Sequence, residues 1–197
     1  MQGMPLYYDD VAFARATGFD GVVLPKADSP DQVAALRAAL GEGVAVIALI
    51  ETAASLARVE EIAGAADRLA FASIDFCEDL ACANIAMTLL PVRSRIVQAA
   101  RLAPIDRVTV AHDDPARVTD DAQHAAQMGF GGKLLIHPRQ IASARAGFLP
   151  DPDQVAWAER IIVASDGGAA MSVDGAMVAT PVITRARRIL QRAEVSQ

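Results

Sequence analysis

Glu51 and Asp75 share a setting: each closes a short apolar run, Val44 to Ile50 and Leu69 to Ile74. Lys26 ends a third run, Gly21-Val22-Val23-Leu24-Pro25, and the intervals between the three residues are nearly equal, each with room for one helix. Repeating β/α units that carry polar groups at the carboxyl ends of parallel strands are how closed α/β barrels build their sites. Two carboxylates side by side on such a rim suit Mg²⁺, which takes hard oxygen ligands in octahedral geometry and surrenders its waters reluctantly. The competing reading makes each acid a helix N-cap or first-turn residue stabilised by the helix dipole. Spacing alone leaves both open, with Glu78 and Asp79 as rival ligands that are more often solvated acids of a turn. Lys26 offers a cation for a carboxylate or phosphate, although Pro25 separates it from the strand and a solvated surface lysine is the commoner case.

Other polar residues carry weaker signals. His137, before Pro138 at the end of the run Lys133 to Ile136, would act as an acid or base or would lock the turn by a hydrogen bond. His112 and Asp113 also follow a strand-like segment, but Asp113-Asp114-Pro115 is more easily explained as the start of a helix. Gly131-Gly132-Lys133 imitates a phosphate loop only superficially, because it precedes a strand instead of opening a helix. Val173-Asp174-Gly175 reads, on spacing alone, as a β-turn.

The elements that must position these groups follow from the punctuation of the chain. Asp9 and Asp10 are placed to cap a helix running to about Thr17, which Gly18 ends before a strand at Val22 to Leu24. Ser29-Pro30-Asp31 opens a helix whose apolar face is Val33, Leu36 and Leu40, and Gly41 and Gly43 release the chain into Val44 to Ile50. That strand is apolar on both faces, as expected of a parallel sheet covered by helices. A helix from Ala53 to Ala65, a strand from Leu69 to Ile74, a helix from Ser94 to Leu102, a strand from Arg107 to Ala111, a helix from Asp114 to Met128 and a strand from Lys133 to Ile136 complete a barrel-like portion. From Asp151 the pattern is helical, with helices expected at Pro152 to Ala164 and Thr180 to Arg192 around a turn-rich Ser165 to Gly175. The expected division is therefore residues 1–150 as five β/α-barrel strands and residues 151–197 as a helical arm. Five strands fall short of an eight-stranded barrel of ~250 residues, so the chain is expected to be part of a longer protein.

Composition narrows the function classes. The chain has 197 residues, 53% of them hydrophobic with few aromatics, enough for one well-packed domain. A net charge of -6 and scattered arginines argue against nucleic acid as a partner. No apolar stretch approaches the ~20 residues that span a bilayer, and no basic-then-apolar leader opens the chain, so a soluble cytoplasmic protein is expected. Cys77 and Cys82 have no second pair and no histidine at ligand spacing, so they are expected to be free thiols rather than a zinc site or a disulfide framework.

Six segments in register resemble the citrate lyase beta-subunit-like family of the HpcH/HpaI aldolase/citrate lyase superfamily. They are Leu24-Pro25-Lys26-Ala27-Asp28-Ser29, Ala48-Leu49-Ile50-Glu51-Thr52-Ala53, Ser73-Ile74-Asp75-Phe76 with Asp79-Leu80, Arg93-Ser94-Arg95, Gly132 to Gln140, and Asp174-Gly175-Ala176-Met177-Val178. The resemblance implies a (β/α)8 TIM barrel, here lacking its first strands, with a C-terminal helical arm. It implies a Mg²⁺-dependent lyase that cleaves a 3-hydroxyacyl-CoA of the citryl-, malyl- or citramalyl-CoA type to acetyl-CoA and a keto acid. A homotrimer or a dimer of trimers is the implied assembly. Glu51 and Asp75 then take the places of the two metal ligands, Glu51 and Lys26 are substrate contacts, and Asp174 becomes the catalytic acid that the arm presents to a neighbouring subunit. The departures are the first three strands, which have no counterpart, a short loop at Leu102-Ala103-Pro104, and Ala179 where an acid is common. A malyl-CoA thioesterase and a non-catalytic binding or assembly subunit are the alternatives.

Overall fold

The computed structural model describes residues 5–166, 172–173, 176–177 and 179–194. Its centre is a five-stranded parallel sheet in sequential order: β1 (Gly21–Leu24), β2 (Ala45–Ile50), β3 (Arg68–Phe71), β4 (Ile105–Asp106) and β5 (Gly132–Lys133). Every strand-to-strand step passes through helix, as parallel neighbours require.

After helix α1 (Pro5–Thr17) and β1, helix α2 (Pro30–Leu40) starts on a capping box in which the Ser29 hydroxyl accepts the Gln32 N–H while the Gln32 side chain accepts N–H groups of Asp28 and Ser29. It stops at Gly41, whose φ of +91° a side chain would resist. β2 leads into α3 (Ala53–Ala57) and α4 (Val59–Ala65), and β3 into α5 (Ser73–Leu80) and α6 (Ala86–Ala99). α7 (Pro115–Met128) follows β4, and α8 (Gln140–Phe148) follows β5. α7 and α8 approach closely because Gly147 has no side chain: a Cβ there would lie 2.5 Å from the Thr119 carbonyl oxygen.

The core lies on one face of the sheet. Paired positions of parallel strands share a face, and on β2 the side chains of Val46, Ala48 and Ile50 are fully buried with Leu24, Leu69 and Phe71 against Val33, Leu36, Val59 and Ile62 of the helices. The other face carries Val23, paired with Ile47, and Val23 is 49% exposed. The helix-covered parallel sheet expected from the apolar run of β2 is present, with the helices packed on the face of Val46, Ala48 and Ile50.

Several boundaries also move. The strand expected to run to Ile74 stops at Phe71, and α5 begins at Ser73 with Ile74 49% exposed, so Asp75 sits in the first turn of a helix. Arg107 to Ala111 is not a strand: β4 occupies Ile105–Asp106, and Val110 is 59% exposed. The last strand is Gly132–Lys133 rather than Lys133 to Ile136. α6 starts eight residues before the expected Ser94 and carries Pro91 within its second turn. The single helix expected over Ala53 to Ala65 is divided at Arg58.

In the tail, α9 (Pro152–Asp166) and α10 (Thr180–Glu194) pack on a small core of their own, Ala158, Ile161, Ala186 and Ile189, with the Arg185 guanidinium 5.1 Å from the Trp157 ring centroid. Between them β6 (Ser172–Val173) and β7 (Ala176–Met177) form an antiparallel pair. Among the described residues, no helix is long and apolar enough to cross a membrane.

Candidate functional site

Glu51 is the residue after β2, where the sheet ladder ends and α3 begins. The turn is held by Thr52 and Ser55. The Thr52 side chain accepts the Ser55 N–H at 2.9 Å, and the Ser55 hydroxyl accepts the N–H groups of Glu51 and Thr52 at 3.2 and 3.0 Å. Ser55 is fully buried, so these bonds fix the backbone from which the Glu51 side chain projects.

The carboxylate itself is gripped from β1. Lys26 takes a left-handed backbone conformation, φ +47°, and its main-chain N–H donates to Glu51 Oε1 at 2.7 Å. That conformation costs a non-glycine residue about 1–2 kcal/mol, and the hydrogen bond to a charged oxygen offsets a cost of that size. Among the described residues no donor reaches the second oxygen, Oε2. Glu51 is only 5% exposed, and its pKa is raised, first by burial and also by the charges of Asp75 and Asp28. The Lys26 N–H and ammonium oppose this without cancelling it.

Asp75, exposed in the first turn of α5, is near enough for its charge to help raise the Glu51 pKa. The structure therefore brings Glu51, Asp75 and Lys26 together, with Lys26 contributing a main-chain donor as well as a charge. It separates the rival acid: Asp79 accepts the Ala53 N–H at 2.7 Å and so caps α3. Asp28 was not singled out from the sequence. Its carboxylate accepts the Thr52 hydroxyl and adds negative charge near Glu51. The Thr52-x-x-Ser55 spacing was the available signal for the capped turn, although serine replaces the usual Glu or Gln of a capping box.

The remaining candidates have structural partners. His137 Nδ1 accepts the Arg139 N–H at 3.1 Å, which locks the turn into α8. Asp114 caps α7 through the Arg117 N–H, and Lys133 donates its ammonium to the Arg107 carbonyl rather than lining an anion loop. Asp174 lies outside the described residues, between Val173 and Ala176, which pair across the β6–β7 hairpin.

The donor set fits a hard divalent cation. Two adjacent carboxylates, one buried with a free oxygen and an upward-shifted pKa, form a site whose own charges repel. Among the described residues no third His, Cys, Asp or Glu joins them as a ligand group. That leaves coordination positions to water and substrate oxygens, the arrangement Mg²⁺ favours.

The comparisons with known proteins bear on the same residues. The model of the HpcH/HpaI aldolase/citrate lyase family matches residues 2–138, which include β1 to β5 and the turn that carries Glu51. The chain belongs to this family. Citrate lyase subunit beta of Escherichia coli K12 is 34% identical over 202 residues, covering 91% of this chain and 67% of that protein. A mitochondrial citramalyl-CoA lyase of Rattus norvegicus is 34% identical over 113 residues, 53% of this chain. Among solved structures, the CitE protein of Mycobacterium tuberculosis in complex with magnesium, acetoacetate and coenzyme A superimposes with a TM-score of 0.85 at 32% identity, over 98% of this chain and 75% of that one. The family member described here thus shares its fold with a protein seen holding both a metal and a coenzyme A.

Proposed function

We propose that the chain is the catalytic part of a Mg²⁺-dependent carbon–carbon lyase acting on a 3-hydroxyacyl-CoA of the citryl-, malyl- or citramalyl-CoA type. The observation that carries this reading is Glu51: a buried strand-end carboxylate, clamped through one oxygen, with a second carboxylate near it and a net upward pKa that the Lys26 ammonium does not cancel. The relatives named as citrate lyase beta subunits and citramalyl-CoA lyase, and the neighbour bound to magnesium and coenzyme A, support the same class. In this reading residues 1–150 belong to a β/α barrel and residues 151–197 to an arm, and the enzyme works in the cytoplasm as a homotrimer or hexamer.

Cleavage passes the proton of the 3-hydroxyl to solvent water, breaks the bond between the carbinol carbon and the carbon alpha to the thioester, and leaves a keto acid and an enolate. Mg²⁺ held by Glu51 and Asp75 supplies charge stabilisation to the oxygens of the keto-acid half. Glu51 would bind through Oε2, which accepts no hydrogen bond among the described residues, while the Lys26 N–H holds Oε1. Asp75, exposed at the rim, completes the ligand pair from the other side. The Lys26 ammonium faces the substrate's own carboxylate. Asp174 delivers the proton that converts the enolate into acetyl-CoA, a step for which a carboxylic acid needs a pKa raised by burial.

The test is turnover of a citryl-, malyl-, citramalyl- and methylmalyl-CoA panel with Mg²⁺ by the full-length gene product. Keto acid and acetyl-CoA in equal amounts are expected from one member. No turnover by a folded protein overturns the lyase, and free coenzyme A without keto acid replaces it by a thioesterase. Mixing inactive Asp174→Asn and Glu51→Gln proteins is expected to restore activity in shared sites, and a mixture as inactive as its components removes Asp174 from a neighbour's site.

A further inference from the structure

α5 ends in a way that brings two cysteine residues together. The Cys82 N–H donates to the Cys77 carbonyl at 3.0 Å, the Ala81 N–H donates to Glu78 at 3.3 Å, and Ala81 is left-handed with φ +49°. These are the paired bonds of a Schellman motif, with Ala81 in the position that glycine usually takes. In that motif the residue after the left-handed one packs against the residue five before it, and here those two are Cys82 and Cys77. Both are free: Cys77 is buried in the main core, while Cys82 is only half-buried at its margin.

We propose that Cys77 and Cys82 form an oxidisable dithiol, a modification site in which the Cys82 sulfur attacks a hydroperoxide and Cys77 resolves the product. The exposure difference sets the order. The Cys82 sulfur takes the distal oxygen of the peroxide, which breaks the O–O bond, reduces the peroxide to water and oxidises the sulfur to a sulfenic acid. The Cys77 sulfur then attacks the Cys82 sulfur and expels the oxygen as water. Overall two thiols and one hydrogen peroxide give one disulfide and two waters. The Schellman end already sets the two residues side by side, and the bond forms at the C-terminal end of the helix whose first turn carries Asp75.

The experiment treats the metal-free, reduced full chain with one equivalent of hydrogen peroxide and follows free thiols, intact mass and dimedone labelling. Both thiols are expected to disappear together, with a mass loss of two hydrogens and no persistent dimedone adduct. Cys77→Ser is expected to stop at a Cys82 sulfenic acid that dimedone traps, while Cys82→Ser leaves Cys77 reduced. Cys77→Ala repeats the first variant if serine disturbs the core. A native chain that accumulates the dimedone adduct as the Cys77 variants do overturns the proposal. So does a disulfide found between chains, or a Cys82 that does not react. None of these readouts depends on lyase activity.

Discussion

Two buried carboxylates in this fold meet opposite treatment. Asp106, at the end of β4 and 1% exposed, is met by Arg93 of α6 in a two-pronged pair, Nε to Oδ1 at 3.0 Å and Nη2 to Oδ2 at 2.7 Å, and the guanidinium rests over the Phe130 ring. Glu51, just past the end of β2 and 5% exposed, has one main-chain donor and two acids for neighbours. A buried charge is tolerated when it is paired and hydrogen-bonded, and otherwise shifts its pKa or waits for a counter-ion. Asp106 is therefore neutralised inside the helix–sheet interface, whereas Glu51 keeps a charge that its neighbours do not fully compensate. The two differ in surroundings, and the sequence singles out only Glu51, since Asp106 precedes the strand expected at Arg107.

The most damaging way to probe this contrast is to strip Asp106 of its role. Asp106→Ala leaves Arg93 buried and unpaired, and denaturant unfolding is expected to show a loss of about 3–5 kcal/mol. An apolar double replacement, Arg93→Met with Asp106→Leu, is expected to recover most of it. If the single variant costs no more than a surface substitution, the pair does not close the charge as described.

On the Glu51 side, Mg²⁺ at 100 times its dissociation constant is expected to stabilise the protein by about 2.7 kcal/mol, read as a higher melting temperature. Glu51→Gln and Asp75→Asn should each abolish that shift. An unchanged response in either removes that residue as a ligand.

A smaller effect has the opposite sign. The folded pKa of Glu51 is raised above 4.5, so the stability tied to its protonated form is present below 4.5 and lost as pH rises through the raised value. Without metal at neutral pH, Glu51→Gln is therefore expected to melt higher than the parent, with the gap narrowing in acid. A variant that melts lower at every pH shows that Glu51 is already compensated within the chain. Smallest of these, Thr52→Ala removes the α3 cap and the hydroxyl that Asp28 accepts, for about 1 kcal/mol of stability by thermal melting.

Much of the frame is legible in the residues. Ser29-Pro30, Asp114-Pro115 and Pro152 announce α2, α7 and α9, because caps and proline act within one turn of the chain. β1 and β2 stand out as apolar runs released by glycine. β4 and β5 do not, since two-residue strands are defined by the ladder of their neighbours, as when Gly131 donates to Pro104 and Leu134 to Asp106. α6 is hidden by Pro91, which reads as a breaker although it lies in the second turn of the helix. At the site, Glu51 is visible as a strand-end acid, and Asp75 is visible as an acid but not as a helical one. The hold on Glu51 is invisible for a different reason: no residue type encodes a left-handed lysine, and a main-chain N–H leaves no letter in the sequence.

That hold has a bearing on how the protein tolerates change. The donor at position 26 belongs to the backbone, so nineteen of the twenty amino acids bring it, and only proline lacks it. Exchanging Lys26 can alter the charge offered to a ligand while leaving the Glu51 carboxylate where it is. The charge at this rim is thereby free to change without loosening the hold on Glu51, and the two properties can be inherited, or engineered, separately.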